Sequence, residues 1–288
     1  MIIDPLHLRE IVRHALREDI GWGDRTTRSV LPQPPMDATG NITTREDCVV
    51  AGIGVAEVIF AILSGSARTT THAVDGDAVK AGDRIFTVDA DAATILSGER
   101  TALNFLMRMS GIATATRRFV RQIEGNHAKI VDTRKTAPGL RLLDKFAVKA
   151  GGGRNHRFGL DDGILIKDNH ITLAGGIRAA VVRAKAAAPH SMRIEVEVRD
   201  LEQLETAIES GADAVLLDNM APEMMRRAVE IAAGRVLLEA SGGINEENVR
   251  EVAETGVDLI SIGALTHSPR SIDMTMAVTP RETDESKA

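Results

Sequence analysis

The sequence predicts an α/β protein in two parts, an N-terminal α/β sandwich and a C-terminal β/α barrel in which six parallel strands are visible. A repeat predicts the barrel. Between Met192 and Gly263 the chain cycles through a short apolar strand, a polar residue at its C-terminal end, and a capped helix closed by glycine. Glu197, Asp218, Glu239 and Ser261 mark the strand ends at intervals of 21, 21 and 22 residues, the length of one strand, one helix and two loops. Barrels of this kind carry their chemistry at the C-terminal ends of their strands, so these four side chains are candidates to line a site. Contrast predicts the sandwich: ahead of residue 94 the apolar segments alternate rather than run continuously, as in an antiparallel sheet.

The elements follow in order. Asp4 and Pro5 read as N-cap and first helical residue of a helix over about 5–18, with Leu8, Ile11, Val12 and Ala15 on one face. After the loop Gly21-Trp22-Gly23-Asp24 come extended segments at Asn41–Thr44, Cys48–Ala51 and Arg68–Ala73, and a turn at Gly76–Asp83. A long helix over Thr94–Ile123, broken near Gly111, joins the two domains, which are placed at 1–110 and 111–267 with residues 268–288 packing back on the first. The barrel strands are Lys129–Thr133, Gly163–Lys167, Arg193–Val198, Ala214–Asp218, Arg235–Glu239 and Asp258–Ile262, rich in Ile, Val and Leu as strands buried on both faces are. Asp200 and Asn245 read as N-caps, Pro138 and Pro222 as early helical residues, and Gly211, Gly234 and Gly256 as C-terminal stops. A closed barrel of this type has eight strands, so either this one is incomplete or a strand is disguised. The tail after Thr279 is polar and is expected to be disordered.

Composition narrows the function. At 288 residues there is room for a barrel and a smaller domain. A net charge of −6 with 26% charged residues excludes a global basic surface for nucleic acid or anionic membrane. Cys48 is the only cysteine, which excludes an internal disulfide and a cysteine-rich zinc site and suits a reducing compartment. No apolar run approaches the ~20 residues of a membrane span and no secretory signal is present, so a cytoplasmic protein is expected.

The positive charge is concentrated. Residues 129–170 hold nine Lys and Arg against five Asp, +4 in all, leaving −10 for the remainder. Thr133, Arg134 and Lys135 follow the first barrel strand and Lys167 ends the second. Arg154, His156 and Arg157 lie in a connection opened by Gly151-Gly152-Gly153. Charge at the ends of buried parallel strands is seldom idle, and arginine forks with compact lysines suit a small substrate bearing several negative charges. Lys145 and Lys149, on a helix, read as solvated surface. After the last strands, Ser241-Gly242-Gly243 and Ser261-Ile262-Gly263 are turns whose backbone N–H groups suit phosphate. Glu197 and Asp218 form the acidic half, suited to Mg²⁺ shared with substrate phosphates or to positive charge developing on a sugar. No histidine follows them at zinc-ligand spacing.

These residues fall in stretches that together resemble the quinolinate phosphoribosyltransferase family. The stretches are Glu18-Asp19-Ile20-Gly21 with Gly23-Asp24, Gly98–Asn104, Asp132–Gly139, Gly151–Gly153 with Asn155-His156-Arg157, Lys167–His170, Glu195–Val198 and Glu239–Ile244, spread over nearly the whole chain. The resemblance implies transfer of phosphoribosyl from phosphoribosyl pyrophosphate to quinolinate with Mg²⁺, giving nicotinate mononucleotide, carbon dioxide and pyrophosphate. It implies an open (incomplete) barrel of about six to seven parallel strands, which accounts for the missing ones. By similarity Arg134, His156 and Arg157 hold the dicarboxylate. Arg100 reaches in from the partner subunit of a homodimer with shared sites, and the sequence leaves open whether dimers assemble further into hexamers. Lys135, Lys167, Glu197 and Asp218 surround ribose, pyrophosphate and metal, while Ser241, Gly242, Gly243, Ser261, Ile262 and Gly263 cradle phosphate. A same-fold phosphoribosyltransferase with another acceptor, like the relatives found beside molybdate transport genes, is the main competitor, although three arginines favour a dicarboxylate. An aldolase-like barrel with a Schiff base at Lys167 and a non-catalytic phosphate sensor are the others.

Overall fold

The computed structural model describes residues 4–33 and 35–281, so the expected disorder of the tail falls mostly outside the described residues. In chain order the elements are α1 Pro5–Ile20, α2 Arg25–Val30, β1 Asp37–Thr44, β2 Cys48–Val49, α3 Ile53–Leu63, β3 Arg68–Thr71, β4 Ala78–Val79, β5 Arg84–Asp91 and α4 Ala92–Gln122. They continue with β6 Lys129–Val131, α5 Arg141–Ala150, β7 Ile164–Ile166, α6 Asp168–Ala174, α7 Ile177–Ala187, β8 Ile194–Val198, α8 Leu201–Ser210 and β9 Ala214–Asp218. The last are α9 Pro222–Ala232, β10 Leu237–Ser241, α10 Val249–Ala253, β11 Leu259–Ser261, α11 Ala264–His267 and β12 Met274–Pro280. The chain divides into two compact units: one holds residues up to Ala115, 137–152 and those from Ser268 on, the other Thr116–Thr136 and Gly153–His267. The division therefore falls five residues later than the sequence places it, and α5 counts with the first unit rather than with the barrel.

In the first unit an antiparallel sheet runs β12-β1-β5-β3, and the short pair β2-β4 stands apart from it. Alternate residues of β1 are buried, the period-2 pattern of a half-buried strand. A β-carbon at Gly40 would lie 2.9 Å from Ile95, so glycine lets α4 close on the sheet. Asp4 caps α1 by accepting from the Leu6 N–H, and α1 buries Leu8, Val12 and Leu16. The expected break near Gly111 is absent, and α4 is one helix. Gly111 instead admits another strand of chain, since a β-carbon there would collide with the Arg270 carbonyl. On α5, Asp144 is buried and takes Arg108 at 2.9 and 2.8 Å. Lys145, expected at the surface, is buried as well, because α5 turns that side into the unit. Pro138 lies in the turn before α5, closed by the Leu140 N–H on the Ala137 carbonyl at 3.0 Å, rather than opening the helix.

In the second unit six parallel strands run in the order β6-β11-β10-β9-β8-β7. From β8 to β11 each strand pairs with its predecessor in sequence, and β11 pairs with β6, as in a barrel wall. β6 and β7 do not pair, and only Arg154 bridges to Val131, so the barrel is open between its first two strands. Asp200 caps α8, Pro222 opens α9 and Gly211 closes α8 in the left-handed conformation. Asn245 does not cap α10; its Oδ1 accepts from the Glu247 and Asn248 N–H groups in the preceding turn. β10 begins two residues later than expected because the Arg235 guanidinium binds the last carbonyls of α9, those of Ile231 and Ala232. Glu239 is thereby a mid-strand residue and Ser241 the strand end.

Candidate active site

A cavity of about 780 Å³ opens at the C-terminal ends of the six parallel strands, and all of its lining belongs to the second unit. Parallel strands aim their final inward side chains at this mouth, so polar residues 21 apart in sequence meet there. Thr133, Arg134 and Lys135 enter from the end of β6, His156 and Arg157 from the connection after it, and Lys167 from the end of β7. Glu197 comes from β8 and Asp218 from β9, and Ser241, Gly242, Gly243, Ser261, Ile262 and Gly263 from the turns after β10 and β11. Arg100 is exposed on α4 in the first unit and does not line the cavity.

Local bonds set each group. The Thr133 hydroxyl accepts from the Lys135 N–H at 3.0 Å and the Thr266 hydroxyl donates to the Lys135 carbonyl at 2.9 Å, fixing the backbone from which Lys135 reaches past Gly263. Lys167 donates to Glu197 at 2.7 Å. Arg199, which sequence reasoning missed, bridges Asp168 at 3.1 Å and Asp218 at 3.4 Å. Arg157 donates to the Gly163 carbonyl at 2.7 Å. Burial first, then the neighbouring charge of Arg134, pushes its guanidinium below the usual range. Two arginines this close want an anion between them. Gly242 and Gly243 both have positive φ, and a β-carbon at Gly242 would strike the Asn219 side chain. Asn219 and Asn248 pin this turn through the Ser241 and Gly243 carbonyls at 2.8 and 3.0 Å.

Beneath the strand ends lies a second polar layer. His156 donates through Nε2 to Glu195 at 2.9 Å and stands 3.6 Å from Glu239. Asp132 accepts from the Asn155 side chain and from the His156 N–H. Alternation along β8 and β10 puts Glu195 on the face of Glu197 and Glu239 on that of Ser241, which is the signal by which the deeper layer is found.

A cavity with paired arginines, two lysines, two carboxylates and two glycine turns, at the mouth of an open β/α barrel, defines a barrel enzyme for small polyanionic substrates. The models of the quinolinate phosphoribosyl transferase N-terminal and C-terminal domains match residues 24–110 and 112–277. A Bacillus subtilis protein named a probable nicotinate-nucleotide pyrophosphorylase (carboxylating) is 44% identical over 277 residues, 96% of this chain and 95% of the relative. A Mycobacterium leprae protein named nicotinate-nucleotide pyrophosphorylase (carboxylating) is 44% identical over 272 residues, 92% of this chain and 95% of its own length. The solved nicotinate-nucleotide pyrophosphorylase of Francisella tularensis superposes with a TM-score of 0.92 at 41% identity, covering 96% of this chain and 98% of that one. The chain belongs to the quinolinate phosphoribosyl transferase family.

Proposed function

We propose that the protein transfers phosphoribosyl from phosphoribosyl pyrophosphate to quinolinate in the cytoplasm and expels the carboxylate next to the ring nitrogen as carbon dioxide. The products are nicotinate mononucleotide, carbon dioxide and pyrophosphate. The observation that carries this reading is the meeting in one cavity of the Arg134–Arg157 pair with Glu197, Asp218 and the glycine turns. The arginines and His156 hold the two carboxylates of the acceptor. The backbone donors after β10 and β11 hold phosphate. Lys135 and Lys167 neutralise the departing pyrophosphate, and Glu197 and Asp218 face the positive charge that develops on the ribose when it leaves.

Mg²⁺ fits this set. Glu197 and Asp218 stand on neighbouring strands with oxygen ligands only, and each already has a cationic partner, so an ion shared with substrate phosphates and water suits them better than an all-protein cage. When bound, it adds positive charge against the leaving group. Arg100 completes the acceptor pocket of the other subunit in a homodimer.

Incubation with quinolinate, phosphoribosyl pyrophosphate and Mg²⁺, with nicotinate as a parallel acceptor, tests the activity. Nicotinate mononucleotide and carbon dioxide in equal amounts from quinolinate, with nothing from nicotinate, is the expected result. Product from nicotinate alone, or from neither, overturns it.

A further inference from the structure

Glu239 has no part in the scheme above, yet it lines the cavity from the middle of β10 while only 1% exposed. Neither of its carboxyl oxygens has a hydrogen-bond partner. His156, 3.6 Å away, is committed elsewhere: its Nδ1 accepts the Arg157 N–H at 2.7 Å and its Nε2 meets Glu195 at 2.9 Å. That pattern assigns the ring proton to Nε2 and aims it at Glu195, so the imidazole is no base for Glu239. Besides His156 and Glu195, the groups bearing on Glu239 are Ser261 on β11 and, at the end of β6, Asp132. Burial above all, then the negative charge of Glu195, pushes the Glu239 carboxyl up to about 8, with Asp132 adding to the rise and His156 and Ser261 pulling the other way. It therefore carries its proton at neutral pH. A dicarboxylate arriving at Arg134 and Arg157 adds negative charge nearby and holds that proton more firmly.

The proposed reaction has a use for it. When carbon dioxide departs, the electron pair of the broken carbon–carbon bond stays on the ring carbon beside the newly positive nitrogen. That carbon needs a proton to become the C–H of the product. The lysines and arginines already assigned serve as charge partners of phosphate and carboxylate, a role that losing a proton would undo.

We propose that Glu239 is the general acid that protonates the ring carbon vacated by carbon dioxide; this inference rests on the activity proposed above. The O–H bond of Glu239 breaks, the C–H bond forms, and Glu239 is left as a carboxylate beside Glu195. Repulsion between the two and renewed contact with water on product release return the proton.

The test is Glu239→Gln, which keeps the shape but has no acidic proton. Its kcat for nicotinate mononucleotide is expected to fall about 10²-fold or more, with KM for quinolinate little changed. In the wild type kcat/KM for quinolinate falls as pH rises through about 8, where Glu239 of the free enzyme loses its proton, kcat falls only at higher pH, and in Glu239→Gln both basic limbs disappear. A merely structural role would lower kcat and leave the limbs in place. Wild-type kcat in the variant, or a retained limb, overturns the proposal. A wild type that makes no product overturns the activity instead, so the two failures are distinct. If the variant does not fold, the infrared difference spectrum of the wild type across pH 8 still decides: a carboxylic-acid band lost at high pH supports the assignment, and its absence overturns it.

Discussion

Asp144 has no exposed surface, and Arg108 meets it with two nitrogens, fork against fork, while the Ala137 N–H adds a third bond at 3.1 Å. Removing the arginine strands a buried carboxylate. Arg108→Met is expected to lower the free energy of unfolding by about 3–5 kcal/mol in urea titration, and adding Asp144→Leu should recover much of the loss. A single variant as stable as the wild type would count against a net stabilising pair. Nothing in the sequence marks Asp144 or Lys145 as interior, because helical periodicity reports which face is apolar and both interrupt that face. The strand-end residues were legible for the opposite reason: a regular spacing in the chain places them at one rim whatever they touch. His156 and Glu195, 39 residues apart, are joined only by the closure of the barrel, so their bond could not be read in advance.

Within elements, glycine misleads in an instructive way. Inside a helix it costs roughly 0.5–1 kcal/mol relative to alanine, so a sequence reading takes Gly111 for a break. The structure keeps α4 whole and uses the missing side chain to admit the backbone at Arg270. Gly111→Ala, a stabilising change at an open helical site, is therefore expected to destabilise here by about 1–3 kcal/mol, seen as an earlier denaturation midpoint. A later midpoint would show that the Arg270 segment yields easily. The two-residue slip of β10 has a similar lesson: the boundary was set by the grip of Arg235 on the end of α9, a contact that apolar patterning does not register. The parallel strands themselves were legible because their apolar runs are short and bounded by glycine and capping residues.

For the molecule as a whole, the proposed dimer makes a prediction that no single chain can satisfy. Lys167→Ala should lose about 10²-fold or more in rate, since it would remove charge from the transition state, and Arg100→Ala should lose activity by leaving the partner's acceptor pocket incomplete. Mixed and reassembled, the two inactive variants should regain activity, because a mixed dimer holds one site with both residues intact. Failure of the mixture to recover, with exchange of subunits demonstrated, would place Arg100 outside the site. The fate of α5 was not legible, since it depends on where a helix packs rather than on what it is made of. The chain passes between its two compact units four times, after Ala115, Thr136, Gly152 and His267. A gene that traded this barrel for another would have to be opened and resealed at four places in one event, so the two halves descend together, and tinkering with either is confined to what the other tolerates.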